Sequence, residues 1–287
     1  MVHLHYGVAP VRPELGVLPC PPPPHVRLAI PALRAGFTLL VALTAGAQAQ
    51  PLGIPPDALP FVPAVTLTIP LGPGGDSAPR ARLSQRALLE MGAVALTGAG
   101  HLAASSQGLS GAYIPVVVVG WGGYVGYRAA TEPGYLGELG LTRERLGPAF
   151  RDASLVAAAS LAGMAAVGAA QGSLRVDASV LPLLVLYPAW GLTQQTLVQG
   201  MLTRHLAAAG LPAVAVVPLA SVAFGSVHVP NWPLVGATTA LGGAFAALYL
   251  RDGNVWPLGL YHGVLGAAFY VWVLDRDPWR ELTGGTP

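Results

Sequence analysis

The sequence predicts an all-α protein, a polytopic bundle of about six to eight membrane helices. Three observations predict it. Of 287 residues, 53% are hydrophobic and only 10% are charged, whereas soluble domains carry ~25% charged residues. The apolar residues fall into recurrent blocks of about 20, the length that spans the hydrocarbon of a bilayer. Most of the arginines sit between these blocks rather than inside them. Lipid, not water, is the solvent such a chain suits. The net charge of +2 is too small to argue for a nucleic-acid partner, and none is expected. A single cysteine, Cys20, excludes an intrachain disulfide framework and a cysteine metal cluster. All 15 basic residues are Arg, which with the abundant Ala, Gly and Pro reads as the composition of a GC-rich bacterial genome.

Residues 1–25 are polar and Pro-rich, with Pro21 to Pro24 consecutive, and read as a disordered or untranslated extension. Residues 26–49 read as a signal peptide or a first anchor: Arg27 and Arg34, an apolar stretch from Ala35 to Ala47, then Ala47-Gln48-Ala49. Its distance from Met1 fits a translation start at Val26. A Pro/Gly-rich linker over 50–86 follows. The N-terminal transmembrane helices occupy 87–177: Ala87–Ser105, weak because it carries Glu90 and His101, then Gly111–Ala130 and the Ala-rich Ala153–Gln171. Ala178–Ala209 reads as one long helix, or two joined near Pro188. Leu211–Val229, Pro233–Leu250 and Asn254–Leu274 complete the set. Proline and glycine are tolerated in such helices because neighbouring helices satisfy the freed backbone groups.

Loop charges give an orientation. Arg143, Arg145 and Arg151 lie in the 131–152 loop, with Arg128, Arg204 and Arg251 on the same side; Arg175, Arg276 and Arg280 lie opposite. The positive-inside rule puts the 131–152 loop in the cytoplasm. A cleaved signal would leave residue 50 outside. Two crossings, at Ala87–Ser105 and Gly111–Ala130, would then put that loop outside too. Either cleavage fails or Ala87–Ser105 does not span.

Polar side chains within membrane segments are costly and mark function. Gln194 and Gln195 are adjacent in a long apolar stretch, His228 ends the next helix, and His262 lies in the last. Each alone reads as a helix–helix hydrogen bond. Together, in three consecutive helices, they read as one buried polar pocket, since helices adjacent in sequence tend to be adjacent in space. His205 follows Arg204 near a helix end and reads as interfacial.

These residues resemble the three motifs of the CAAX prenyl protease and bacteriocin-processing (CPBP) family: Glu-Glu-x-x-x-Arg, Phe-x-x-x-His and His-x-x-x-Asn/Asp. The second is matched by Phe224 and His228 and extends through Pro230 and Asn231. The third keeps His262, preceded by Gly253-Asn-Val-Trp-Pro257, but has Gly266 where Asn or Asp belongs. The first reads Gln194-Gln195-Thr-Leu-Val-Gln199. The loop Gly140-Leu-Thr-Arg143 is also similar to the family. The resemblance implies a CPBP-like intramembrane protease domain over 178–275.

The resemblance further implies peptide hydrolysis in which a Glu of the pair activates water, a His assists, and the last His with its Asn stabilises the oxyanion. A carboxamide cannot serve as that base, because its nitrogen lone pair is delocalised and its oxygen is weakly basic. General-base catalysis supplies roughly 10²–10⁴-fold, and an oxyanion donor about 10²–10³-fold. The sequence therefore predicts the protease architecture with hydrolysis lost or reduced, a pseudoenzyme binding a membrane-embedded or lipidated peptide. An active endopeptidase using a histidine base is the alternative. A small-solute transporter ranks below both, since no internal repeat is found. Two motif histidines without a carboxylate fall short of the three protein ligands of a catalytic zinc site, so neither a metal nor a cofactor is expected. Membrane lipid is the expected surrounding partner, and a bacterial cytoplasmic membrane the expected location.

Overall fold

The computed structural model describes residues 83–176 and 180–278. The extension, the signal or anchor, and nearly all of the linker lie outside the described residues. Every described element is helical. In chain order they are α1 (Gln85–Ser106), α2 (Ser110–Thr131), the short α3 (Tyr135–Glu138) and α4 (Leu146–Gln171). Then come α5 (Val180–Gln195), α6 (Arg204–Ala208), α7 (Ala213–Ser226), α8 (Trp232–Asp252) and α9 (Trp256–Ala268). A π-helical segment, Thr196–Thr203, joins α5 to α6, and a second, Phe269–Val273, extends α9. The long block at 178–209 is thus one continuous helix, with Pro188 inside α5.

Three of these helices are long and apolar enough to cross a membrane: α1, α4 and α8. With the other helices packed against them, they agree with the helical membrane bundle read from the sequence. α7 is apolar but short, with 14 residues. Both α5 and α9 give up regular helix to π-helical turns, the first of which carries Gln199 and adjoins Gln195. The weak first block proves to be a full 22-residue helix, begun by Ser84, whose Oγ accepts the Ala87 amide at 3.1 Å.

Its polar residue Glu90 is the reason it looked weak. Glu90 is 3% exposed. One carboxylate oxygen accepts Tyr124 Oη at 2.7 Å and Tyr135 Oη at 3.0 Å, and the other meets His205 Nε2 at 2.6 Å. Arg204 (3.5 Å), Arg128 (3.7 Å) and Arg86 (3.9 Å) complete its surroundings. A buried carboxylate is tolerable only with such compensation. His205, read as interfacial near a helix end, is 5% exposed and enclosed in this charged cluster. The cluster ties α1, α2 and α3 to α6, the end of the helix that carries Gln194 and Gln195. At its rim Arg86 binds Glu132 (2.7 Å) and Glu138 (3.3 Å), and Arg204 binds Glu138 (3.0 Å). Arg128 also binds Glu132 and holds that carboxyl below the usual range.

α4 and α9 pack parallel. Near their starts Ser154 Oγ and Tyr261 Oη are 2.6 Å apart, and near their ends Ser173 Oγ donates to Trp272 O at 2.6 Å. α5 packs antiparallel to α9, and α7 to α8. Arg86, Arg128, Arg143, Arg145, Arg151, Arg204 and Arg251 consequently gather at one end of the bundle. Arg175 and Arg276 lie at the other. α1 begins at the Arg-rich end, the end of the 131–152 loop. By length and composition α1 is long and apolar enough to cross a membrane.

Two measurements check this arrangement. With Cys20 replaced by Ser, a cysteine at Glu144 should react with a membrane-impermeant maleimide only from the cytoplasmic side, and one at Gln107 only from the opposite side; the reverse pattern would overturn the orientation. Glu90→Ala leaves His205 and three arginines without their shared anion and should lower stability by about 3–5 kcal/mol, read as thermal unfolding in detergent.

Candidate functional site

The geometry of the motif pocket begins with a contact between α5 and α9 that only glycines permit. A Cβ on Gly191 would stand 2.5 Å from Gly259 O and 2.8 Å from Gly263 N. On Gly263 it would stand 2.3 Å from Pro188 N, and on Gly259 2.5 Å from Leu192 Cα. Gly259 and Gly263 are four apart, so both lie on the face of α9 turned to α5. Without side chains there, the backbones meet directly, as small residues allow between membrane helices.

This approach brings His262, buried on α9, to Gln194, half-buried on α5: His262 Nε2–H donates to Gln194 Oε1 at 2.8 Å. The other ring nitrogen, Nδ1, is buried and has no partner. The Phe224 ring packs edge-on against both imidazoles, 5.1 Å from His262 and 5.5 Å from His228 between centroids. His228 is oriented by its backbone. Its Nδ1 lies 3.0 Å from Phe224 O, which can only accept, so Nδ1 carries the proton. Thr238 Oγ1, which donates to Leu234 O, lies 3.2 Å from the same nitrogen.

The remaining motif positions do other things. Gln195 turns away from the histidines: its Oε1 accepts Gln199 Nε2 at 3.1 Å, and Gln199 Oε1 accepts Thr203 Oγ1 at 2.9 Å. All three are fully buried, and together they form a neutral ladder along the π-helical segment. The amide nitrogen of Gln195 has no partner. Asn231 caps α8, its Oδ1 accepting the Leu234 amide at 3.1 Å. Gly266 lies against Tyr187, whose ring would come within 3.3 Å of an added Cβ. Of the two amides and two imidazoles expected in one pocket, Gln194, His262 and His228 meet through Phe224, while Gln195 belongs to the ladder. Among the described residues no group of three or more His, Cys, Asp or Glu side chains is placed to hold a metal ion.

The two loop signatures join. Asn254, 1% exposed, donates through Nδ2 to Thr142 O (2.9 Å) and Glu144 O (3.0 Å) and accepts the Trp256 amide at 3.1 Å. Val255 N donates to Gly140 O at 2.9 Å. Gly140 has φ +82°, and a Cβ there would meet Gly253 O at 2.7 Å, so glycine is required on both counts. The Gly253–Pro257 stretch therefore clamps the 140–144 loop and fixes where α9 starts, at Trp256, six residues before His262.

With this geometry in place, residues 176–268 match the family model described as type II CAAX prenyl endopeptidase Rce1-like. This stretch belongs to the CPBP family. Comparison with curated proteins and with solved structures returns no match. The match begins at the approach to α5 and ends with α9, so the Rce1-like domain contains every motif position named above. The chain is an integral membrane protein with an intramembrane endopeptidase-like architecture.

Sequence reasoning missed the residues that make the Rce1-like pocket possible. Gly191, Gly259 and Gly263 carried a signal, since Gly259-x-x-x-Gly263 has the small-x-x-x-small spacing of close-packed membrane helices. Tyr187 and the Glu90–His205 pair carried none, because each acts through partners distant in the chain, whereas Thr203 lies one turn after Gln199, the residue it bonds. Gly263→Ala should push a methyl into the Pro188 backbone and cost about 1–3 kcal/mol. Gly92→Ala, where nothing lies within 4 Å, should stay within roughly 0.5 kcal/mol of wild type. Thermal unfolding of both variants in detergent checks the pair.

Proposed function

We propose that the protein is a CPBP-family membrane protein that keeps the protease architecture and has lost or reduced peptide hydrolysis. Its domain of residues 178–275 would bind a membrane-embedded or lipidated peptide in a bacterial cytoplasmic membrane that the chain crosses several times. The observation that carries this reading is the 2.8 Å bond between His262 Nε2 and Gln194 Oε1. An amide stands where the family places the carboxylate that takes a proton from water, and its oxygen is already occupied as an acceptor. Gln195 and Gln199 support the same reading. They hold each other as a neutral pair where the family has Glu and Arg, so the charged second carboxylate and its cation are gone together. The oxyanion side lacks its donor at Gly266, where the Tyr187 ring lies 3.3 Å from the position an added Cβ would take.

Binding needs less than catalysis does. His262 Nδ1, a buried acceptor without a partner beside Gln194 and Phe224, can take a hydrogen bond from a peptide amide. It need not change protonation state to do so.

A protease assay on CAAX-like and membrane peptides tests the proposal. Wild-type protein should give little or no cleavage. Gln194→Glu should restore part of the activity, within the roughly 10²–10⁴-fold that a general base supplies. Adding Gln195→Glu with Gln199→Arg and Gly266→Asn should do better, because a carboxylate at the fully buried position 195 needs a cation at 199. Robust cleavage by wild-type protein that His228→Ala abolishes would overturn the reading in favour of a histidine base.

A further inference from the structure

Beyond the motif pocket, the bundle has a groove of about 310 Å³ lined by Thr142, Arg143, Leu146, Phe150, Trp256 and Leu260. It lies between the starts of α4 and α9, at the Arg-rich end. Its walls are rigid: Tyr261 packs edge-on against Phe150 at 6.1 Å and bonds Ser154, while Asn254 pins the backbone of residues 142 and 144. The floor is apolar and the rim is basic. We propose that this groove is a binding site for one anionic phospholipid of the leaflet that faces the 131–152 loop, with an acyl chain along Leu146, Phe150 and Leu260 and the phosphate at Arg143.

Three independent features fit that occupant. The first is charge. Arg145 is bound to Asp252 (2.9 Å), Arg151 to Asp152 (2.8 Å), and Arg251 to both aspartates. Arg143 makes no such contact, so it is the arginine of this group left to meet an anion. The neighbouring Glu144 is exposed, does not line the groove, and is held by its backbone to Thr142 Oγ1 at 3.1 Å. The second is the field of the helices. α4 and α9 run parallel and both begin at the groove, so the positive ends of their dipoles add there. α4 has no side-chain cap; its N-cap position is Arg145, at φ 50°. The third is depth. Leu146 is the first residue of a membrane-length helix and Trp256 the first of α9, 37% exposed. A Trp beside an Arg at the end of a span is the pairing found at headgroup level. Basic sites between membrane helices on the cytoplasmic side suit anionic headgroups.

The full chain in detergent, titrated with phosphatidylglycerol and with phosphatidylcholine of the same acyl composition and read by native mass spectrometry, tests this. Phosphatidylglycerol should bind more tightly. Arg143→Gln should weaken it about fivefold, towards the phosphatidylcholine level, while Arg143→Lys keeps most of the preference. Leu260→Trp, which fills the groove, should reduce retention of both lipids. Glycerol phosphate alone, lacking acyl chains, should not compete. Equal binding of the two lipids, or a preference unchanged in Arg143→Gln, would overturn the proposal, as would full competition by glycerol phosphate. Unchanged melting of each variant shows that the loss is one of binding and not of fold.

Discussion

The close approach of α5 and α9 is the constraint on which the rest depends. Lipid tails are as apolar as leucine, so there is no hydrophobic reward for two membrane helices to meet. What holds them is dispersion between surfaces that fit, and polar bonds across the seam. Gly191, Gly259 and Gly263 supply the fit by leaving backbone against backbone. The bond from His262 to Gln194 then spans a gap that any larger residue at those positions would widen. The packing also aims Phe224 at both imidazoles. Take away the glycines and the same polar residues would remain in the chain without a shared pocket.

Two buried polar groups of opposite character flank the π-helical segment. Towards one end Gln195, Gln199 and Thr203 form a ladder of neutral bonds. Immediately beyond it Arg204 and His205 enter the charged cluster around Glu90. The contrast is physically consistent. A buried ion pair must repay the loss of water around two charges, whereas an amide pair need only satisfy its hydrogen bonds. Removing the charge at 195 without removing it at 199 would strand a buried cation, so the two glutamines make sense only together. π-helical turns recur at functional sites because they displace a backbone stretch without ending the helix. Here the turn also lets Gly200 meet the Leu139 backbone, where a Cβ would stand 2.7 Å from Leu139 O. That seats the Rce1-like domain on the loop that precedes α4.

The loop clamp links the motif pocket to the basic end of the molecule. Asn254 holds the 140–144 backbone, and the same residue starts α9 by accepting the Trp256 amide. Its neighbour Asp252, 6% exposed, neutralises Arg145 and Arg251. One short stretch thus sets the axial position of His262, the height of Trp256 and the pairing of the nearby arginines. Arg143 is left over from that pairing because the clamp fixes its backbone while both aspartates face the other guanidinium groups.

Much was legible in the chain itself. Low charge and apolar blocks of membrane length determined an all-α membrane protein, since such segments can satisfy their backbone in lipid only as helices. The motifs Gln194–Gln199, Phe224–His228 and Gly253–His262 carried the resemblance to the family by residue type, order and spacing. That positions 194 and 195 carry amides was also plain from residue type. The tertiary structure decided which of these groups meet. Gln194 and Gln195 are chain neighbours, yet about 100° of helical rotation separates them, and only the packing of α9 selects Gln194 for His262. Likewise Glu90 looked like a flaw in a membrane helix and His205 like an interfacial residue. They are 115 positions apart, and a contact at that separation is set by how helices pack, not by any local pattern in the sequence.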